Sequence, residues 1–347
     1  MTMIATMRRA AILGGVALAA LGLCGPAFAQ KTKLTVYTAI ENEQLEPFKK
    51  AFEADNPTIE IAWVRDSTGV VAAKLMAEKD NPRADIIWGL AASNVGLMAA
   101  SGMLEPYTPA GAASLNPMFL SGKQPQTWVG MDAYLSLVCF NTAEGKKGNK
   151  PVPTSWADLI KPEYKGHIQI ANPNSSGTAY TMLATMVQLF GEDKGFEYMK
   201  ALHKNVNQYT KSGSAPIKAA GLGETTIGIV FIHDAVSQVV AGFPIVPVTP
   251  CEGTGYEIGS ESIIKGARNM EAAKKFYDWA LEADVQSKAQ DAGSFQVPSN
   301  KAAKTSDKAP DLSAIKLIDY DFKKYGSSEE RKRLLKKWDE EVASLPQ

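Results

Sequence analysis

Histidine and cysteine are both rare in this chain, three of each in 347 residues, and their rarity removes several chemistries at once. The histidines, His167, His203 and His233, fall in different predicted elements. No G-x-S-x-G nucleophile elbow occurs, and no set of metal ligands at hydrolase spacing. An exported phosphoester or phosphonate hydrolase built on His233 and Asp234 would lack an activated nucleophile beside its base. An excess of one charge is missing too: 37 basic residues face 37 acidic ones, which leaves no electrostatic footprint for nucleic acid. Beyond residue 29 no apolar run is long enough to cross a bilayer. There is no internal repeat and no low-complexity tract.

The one strongly apolar stretch lies at the start. Arg8 and Arg9 precede an apolar run from Ala10 to Leu23, and Ala27-Phe28-Ala29 fits an A-x-A cleavage site before Gln30, the pattern of an export signal. The expected mature chain is therefore soluble, exported and begins at Gln30. Lipoprotein processing at Cys24 would want a small residue before the cysteine, and Leu23 stands there. Removing the leader takes two arginines and no acid, so 35 basic residues remain against 37 acidic ones, a formal charge of about −2 by the usual counting. Cys139 and Cys251 survive processing. In an oxidising compartment such a pair is a disulfide candidate, the alternative being two unpaired small hydrophobes.

A chain of this length exceeds what one core usually supports, so two lobes are expected. Leu34–Tyr37 reads as a strand, Leu45, Phe48 and Phe52 recur at helical spacing, and Ile59, Ile61 and Trp63 alternate as a strand does, which together predict a βαβ unit. A helix over Val70–Ala77 and a buried strand at Asp85–Trp88 continue the alternation, the signature of a mostly parallel sheet covered on both faces. Ligands of such sheets bind beyond the C-terminal strand ends, which selects three loops: Thr38–Asn42, Arg65–Gly69 and Gly89–Asn94. The second region repeats the pattern, with strands at Tyr134–Asn141, His167–Ile170 and Ile227–Ile232 and helices at Thr181–Phe190, Phe196–His203 and Ala215–Gly221. Two αβ lobes with facing strand-end loops make a cleft. The segment Asn172–Tyr180 places Ser175, Ser176, Gly177 and Thr178 directly before a helical run. The first N–H groups of a helix lack internal partners and sit at the positive end of its dipole, so an anion gains several donors there. Such residues are also the ordinary N-caps of any helix, and context has to decide between the two.

Leu34–Ala39, Pro82–Trp88, Glu252–Gly259 and Ala272–Tyr277, in this order and behind an export signal, resemble the periplasmic solute-binding proteins of ABC importers. The branch resembled contains ferric-iron and 2-aminoethylphosphonate binders. The resemblance covers essentially the whole mature chain, although no single motif in it has the specificity of a zinc-finger spacing. It implies the two-lobed type II periplasmic binding fold, α/β, each lobe a mixed sheet with flanking helices and the ligand cleft between lobes that close by hinge motion. The implied crossings lie near Ala133–Ser136 and Tyr256–Ser260. Lobe 1 is then residues 30–135 with 260–347 and lobe 2 is 136–259, which places Cys139 and Cys251 in one lobe. The resemblance implies a binder without catalysis or cofactor, a monomer, delivering its solute to an inner-membrane permease with its ATPase.

Iron-binding relatives carry a histidine or acid in the first loop, a glutamate after the third strand and a pair of adjacent tyrosines near the later strand end. Here Glu41, Gly89-Leu90-Ala91 and His233-Asp234 stand in those places, a poor donor set for a ferric ion. A ferric or anion-bridged metal carrier remains the alternative. Ser67, Thr68 and Gly69 from one lobe and Ser175, Ser176, Gly177 and Thr178 from the other are the expected anion donors. Glu41, Asp234 and the Tyr37 phenol are the expected partners of an ammonium. Anion site and acidic site together describe a zwitterion, and the resemblance implies 2-aminoethylphosphonate. For several residues a structural role competes: Tyr37 as a core phenol, Arg65 as a local partner of Asp66, Asp85 as a cap, His233 as a hydrogen-bonding histidine.

Overall fold

The structure is a computed structural model that describes residues 31–122 and 124–346; the expected leader and its cleavage site lie outside the described residues. The expected βαβ unit opens the fold as β1 (Thr32–Thr38), α1 (Asn42–Asp55) and β2 (Ile59–Arg65). Leu45, Phe48 and Phe52 form the buried stripe of α1, spaced to lie on one face. Then come α2 (Thr68–Ala77), β3 (Ile86–Ala91) and α3 (Ala92–Ala100). β1 runs parallel to both β2 and β3.

β4 (Val129–Asn141) leads into the second region: α4 (Thr142–Lys147), β5 (Ile168–Ala171), α5 (Gly177–Phe190), α6 (Glu192–His203), β6 (Val206–Thr210), α7 (Ala215–Leu222), β7 (Ile227–Phe231), α8 (Ile232–Val240) and β8 (Ile245–Val248). The chain returns along β9 (Tyr256–Ile263) and ends with α9 (Met270–Ala280), α10 (Ala283–Ser287), β10 (Val297–Pro298), α11 (Phe322–Tyr325) and α12 (Ser328–Trp338). The strand order is β2-β1-β3-β9-β4-β7-β5-β6. β4 serves both halves: Val129–Leu135 pair antiparallel with β9, while Ser136–Phe140 pair antiparallel with β7. Its change of partner falls between Leu135 and Ser136, and β9 joins it to β3. Parallel strands flank this antiparallel pair, and each is followed by a helix whose start lies at a strand end.

Each half has its own core. In the first, Trp88 meets Phe48 and Phe276 edge-on at 4.9 and 5.5 Å, the arrangement aromatic rings prefer. The second gathers Ile170, Leu183, Phe196 and Ile229. Tyr320, Leu334, Trp338 and Val342 belong to that second cluster, so the segment 320–342, expected with the first lobe, packs on the other half. The apolar stripe of α12 finds its complement there, and burying each large side chain contributes about 1.5–3 kcal/mol.

The disulfide candidate is not formed. Cys139 is buried in β4 and its thiol donates to the Gly228 carbonyl at 3.0 Å, whereas Cys251 is exposed in the turn after β8; both are free. Cys139 is held against the neighbouring strand, where a side chain at Gly228 would come within 2.8 Å of its sulfur. Burial pushes the Cys139 thiol up to about 12.

Candidate ligand-binding cleft

Three helix starts meet in one place. Ser67 and Ser214 stand at the N-cap positions of α2 and α7 without a capping side-chain bond, and Ser176 caps α5 with its hydroxyl accepting from the Ala179 N–H at 3.3 Å. Residues at all three starts line a single cavity of about 70 Å³ that is partly open to solvent. Glycine makes the convergence possible. A Cβ on Gly213 would lie 2.1 Å from Thr178 Oγ1, and one on Gly177 would lie 3.1 Å from Thr68 Cβ. The hydroxyls of Thr68, Ser176, Thr178, Ser212 and Ser214 and the opening N–H groups of Gly177 and Thr178 thus surround the same space, whereas the Gly69 and Ala215 N–H groups are already bonded to the Ser175 and Ser212 carbonyls at 3.1 and 3.3 Å and Pro216 has none.

The acidic side of the cavity is largely neutralised. Glu41, the residue before α1, receives Arg65 Nη2 at 2.7 Å and the Ser214 hydroxyl at 2.8 Å on one oxygen, and Lys218 Nζ lies 3.4 Å from the other. Asp234, in the first turn of α8, is buried, and burial together with the nearby Glu41 charge holds its carboxyl well above the usual carboxylate range. Burial likewise pushes His233 down to about 3, so it opposes charge on both partners of the 3.5 Å contact between His233 Nε2 and Asp234 Oδ1. Asp132, on β4, is raised by burial to about 7. Asp132 Oδ1, Gln296 Oε1 and His233 Nδ1 have no hydrogen-bond partner among the described residues, and all three side chains line the cavity. Buried polar atoms without partners are costly, and hydroxyls of a bound solute would pair them.

Of the residues expected at the site, Glu41, Ser67, Thr68, Ser176, Gly177, Thr178 and Asp234 come together on this cavity. Tyr37, Gly69 and Ser175 do not line it. Tyr37 lies on the other face of β1, packed with Val71 and Leu75 of α2, and its phenol donates to Glu78 Oε2 at 2.9 Å. The Gly69 N–H donates to the Ser175 carbonyl at 3.1 Å, and both residues line a separate shallow groove beside Lys211, where they join the two halves. Arg65 and His233, weighed in the sequence for structural roles, line the cavity, as do Gln44, Asp132, Tyr134, Ser212, Gly213, Ser214 and Gln296. A signal existed for one group of these: Ser212-Gly213-Ser214-Ala215-Pro216 is a serine-capped helix start with proline in its first turn, the same kind of pattern as the loop before α5. Asp132 and Gln296 carry no local motif and reach the cavity only through the tertiary fold.

A cleft lined by helix starts, between two half-sheets joined by antiparallel strands, is the architecture of type II periplasmic binding proteins. The model of the family described as bacterial extracellular solute-binding protein matches residues 81–324. Among solved structures, the periplasmic binding protein AfuA from Actinobacillus pleuropneumoniae, with exogenous fructose-6-phosphate bound, is 42% identical with a TM-score of 0.88, covering 91% of this chain and 100% of that one. An uncharacterized protein of Haemophilus influenzae is 42% identical over 328 residues, 93% of this chain and 94% of the relative. A putative 2-aminoethylphosphonate-binding periplasmic protein of Salmonella paratyphi A is 24% identical over 254 residues, 71% of this chain and 70% of the relative. The chain belongs to the bacterial extracellular solute-binding proteins, the periplasmic components of ABC transporters, which deliver small ligands to a permease and are not enzymes.

Proposed function

We propose that this protein captures a phosphorylated sugar in the periplasm and hands it to its permease and ATPase. The observation that carries the reading is the meeting of three hydroxyl- and glycine-rich helix starts, from both halves of the molecule, on a cavity whose opposite wall is polar but nearly uncharged. The phosphoryl group belongs where α2, α5 and α7 start, where the opening N–H groups of α5 and the hydroxyls of all three starts serve a tetrahedral anion. The sugar hydroxyls belong at Asp132, His233 and Gln296, whose unpartnered Oδ1, Nδ1 and Oε1 match groups that both give and accept hydrogen bonds. The sugar phosphate bound to AfuA supports the same reading. Capture is by the open cleft, followed by closure of the lobes, without covalent chemistry.

2-Aminoethylphosphonate is the second reading. Its phosphonate would use the same helix starts, and Glu41 and Asp234 stand where an ammonium would go. Against it, Glu41 is already paired with Arg65 and Lys218 and burial disfavours charge on Asp234, so neither acid is a ready partner for an amine. For the metal alternative, among the described residues no group of three or more His, Cys, Asp or Glu side chains is placed to hold an ion.

Calorimetry with fructose 6-phosphate, fructose, inorganic phosphate, 2-aminoethylphosphonate and ferric citrate tests these readings. The expected order is fructose 6-phosphate tightest, inorganic phosphate weaker and fructose silent. Tighter binding of the aminophosphonate would replace the sugar reading with the second one. Thr68→Val, which removes one hydroxyl from the anion end, is expected to weaken fructose 6-phosphate about tenfold, the scale of a hydrogen bond to a charged group.

A further inference from the structure

The anion end of the cleft is short of positive charge. A phosphoryl ester carries about −1.5 to −2 at neutral pH, whereas a helix start offers the equivalent of roughly half a positive charge. At α2 and α7 the Gly69 and Ala215 N–H groups are spent on the Ser175 and Ser212 carbonyls. Among the described residues that line the cavity, Arg65 is the one lysine or arginine. It is the last residue of β2, two positions before Ser67 at the start of α2, and therefore enters the cavity next to hydroxyls assigned to the anion.

The protein holds this guanidinium by one edge only. Its Nε donates to the Ile40 carbonyl at 3.0 Å and its Nη2 to Glu41 Oε1 at 2.7 Å, and these two nitrogens share an edge of the planar fork. Nη1, which carries two N–H groups, makes no hydrogen bond among the described residues. Glu41 does not cancel the charge outright, because its carboxylate is shared with Lys218 Nζ at 3.4 Å and the Ser214 hydroxyl at 2.8 Å. A rigid fork, anchored along one edge on a side chain that lines an anion site, is preorganised to pair with phosphoryl oxygens through its remaining end. We infer that Arg65 selects the charge of the solute: it pairs directly with the phosphoryl group, so the cleft takes a doubly charged phosphate ester and discriminates against a singly charged ester of the same sugar. This rests on the phosphorylated-sugar reading and adds its charge specificity.

The test is calorimetry on the protein lacking residues 1–29, with fructose 6-phosphate and fructose 6-sulfate, which differ in the charge of one tetrahedral group. The phosphate is expected to bind about tenfold more tightly or better, the scale of a hydrogen bond to a charged group. Equal affinities in the unaltered protein overturn the inference whatever any variant does. Arg65→Gln is expected to bring the two esters within about threefold of each other, and a preference that survives it overturns the inference as well. Because that substitution also leaves Glu41 facing the solute without its partner, the Arg65→Gln/Glu41→Gln protein, whose net charge is that of the unaltered chain, separates contact from compensation. There the preference is expected to stay lost. Its return would reduce Arg65 to the counter-charge of Glu41 and overturn the direct pairing. If fructose 6-phosphate gives no heat with the unaltered protein, the phosphorylated-sugar reading fails first and takes this one with it.

Discussion

Glu257 brings a carboxyl group into the strand that returns between the two halves. It is fully buried, one oxygen accepting from the Ile258 N–H at 3.0 Å and, more distantly, from Ser93, and burial raises it to about 7. For an acid raised in the folded state, stability is fully present below the unfolded value. It is lost as pH climbs from about 4.5 towards 7, because the unfolded chain releases a proton that the folded one keeps. The shift corresponds to on the order of 3 kcal/mol. Glu257→Gln, which imitates the protonated group, is expected to flatten the fall in melting temperature between pH 5 and pH 8, and an unchanged slope would remove Glu257 as its source. Asp132 slopes the same way, so a shallower fall remains. Thiol chemistry gives a second check at this scale. Iodoacetamide should label one cysteine of the native protein lacking residues 1–29, Cys251, and a second only after denaturation; a protein with no reactive thiol until reduction would restore the bridge. Tyr37 shows why single residues were harder to place than strands. Leu34 and Val36 pack in one cluster and Tyr37 in another, and a strand buried on both faces carries no polar alternation to tell which side meets the cleft.

Helix starts were the most legible feature above the residue, because serine, threonine and glycine before an apolar run announce both the cap and the exposed N–H groups. That pattern placed Ser67, Thr68, Ser176, Gly177 and Thr178 on the cavity, and applied to the start of α7 it would have added Ser214. It could not distinguish facing the cavity from touching the opposite half, which is where Gly69 and Ser175 went. At Gly69 an added Cβ would lie 2.7 Å from the carbonyl oxygens of both Asn174 and Ser175, so this glycine permits the start of α2 to approach the loop before α5. Gly69→Ala is therefore expected to resist closure: solute affinity falls at least tenfold, about 1.4 kcal/mol, while the unliganded melting temperature moves by less than it would for a core lesion. A variant that binds normally would show that the approach is not needed in the bound state.

Across the whole molecule, the alternation of strands and helices foretold the mixed α/β fold, a sheet with flanking helices. The position of the C-terminal helix was not legible, since an amphipathic stripe such as Leu334, Trp338 and Val342 fits either core equally well. What holds the halves in this arrangement includes two ion-paired sites at the mouth of the cleft: Asp66 with Lys211 at 2.8 Å, and Lys218 with Glu43 at 2.9 Å and Glu41 at 3.4 Å. In each site the acid follows or lies in an element of the first half and the lysine belongs to the second. Their side chains are largely exposed, so each pair contributes about 0.2–1 kcal/mol and is weakened by salt. Together they amount to about 1 kcal/mol, or roughly fivefold in a rate that requires opening. Solute release measured by stopped flow should accelerate about that much between low and high ionic strength. In the Lys211→Gln/Lys218→Gln protein, release should be fast at low salt and nearly indifferent to added salt. Equal salt slopes in the two proteins would mean that the pairs do not govern opening, and that closure rests on the solute and on other contacts between the halves, the Gly69–Ser175 and Ser214–Glu41 hydrogen bonds among them.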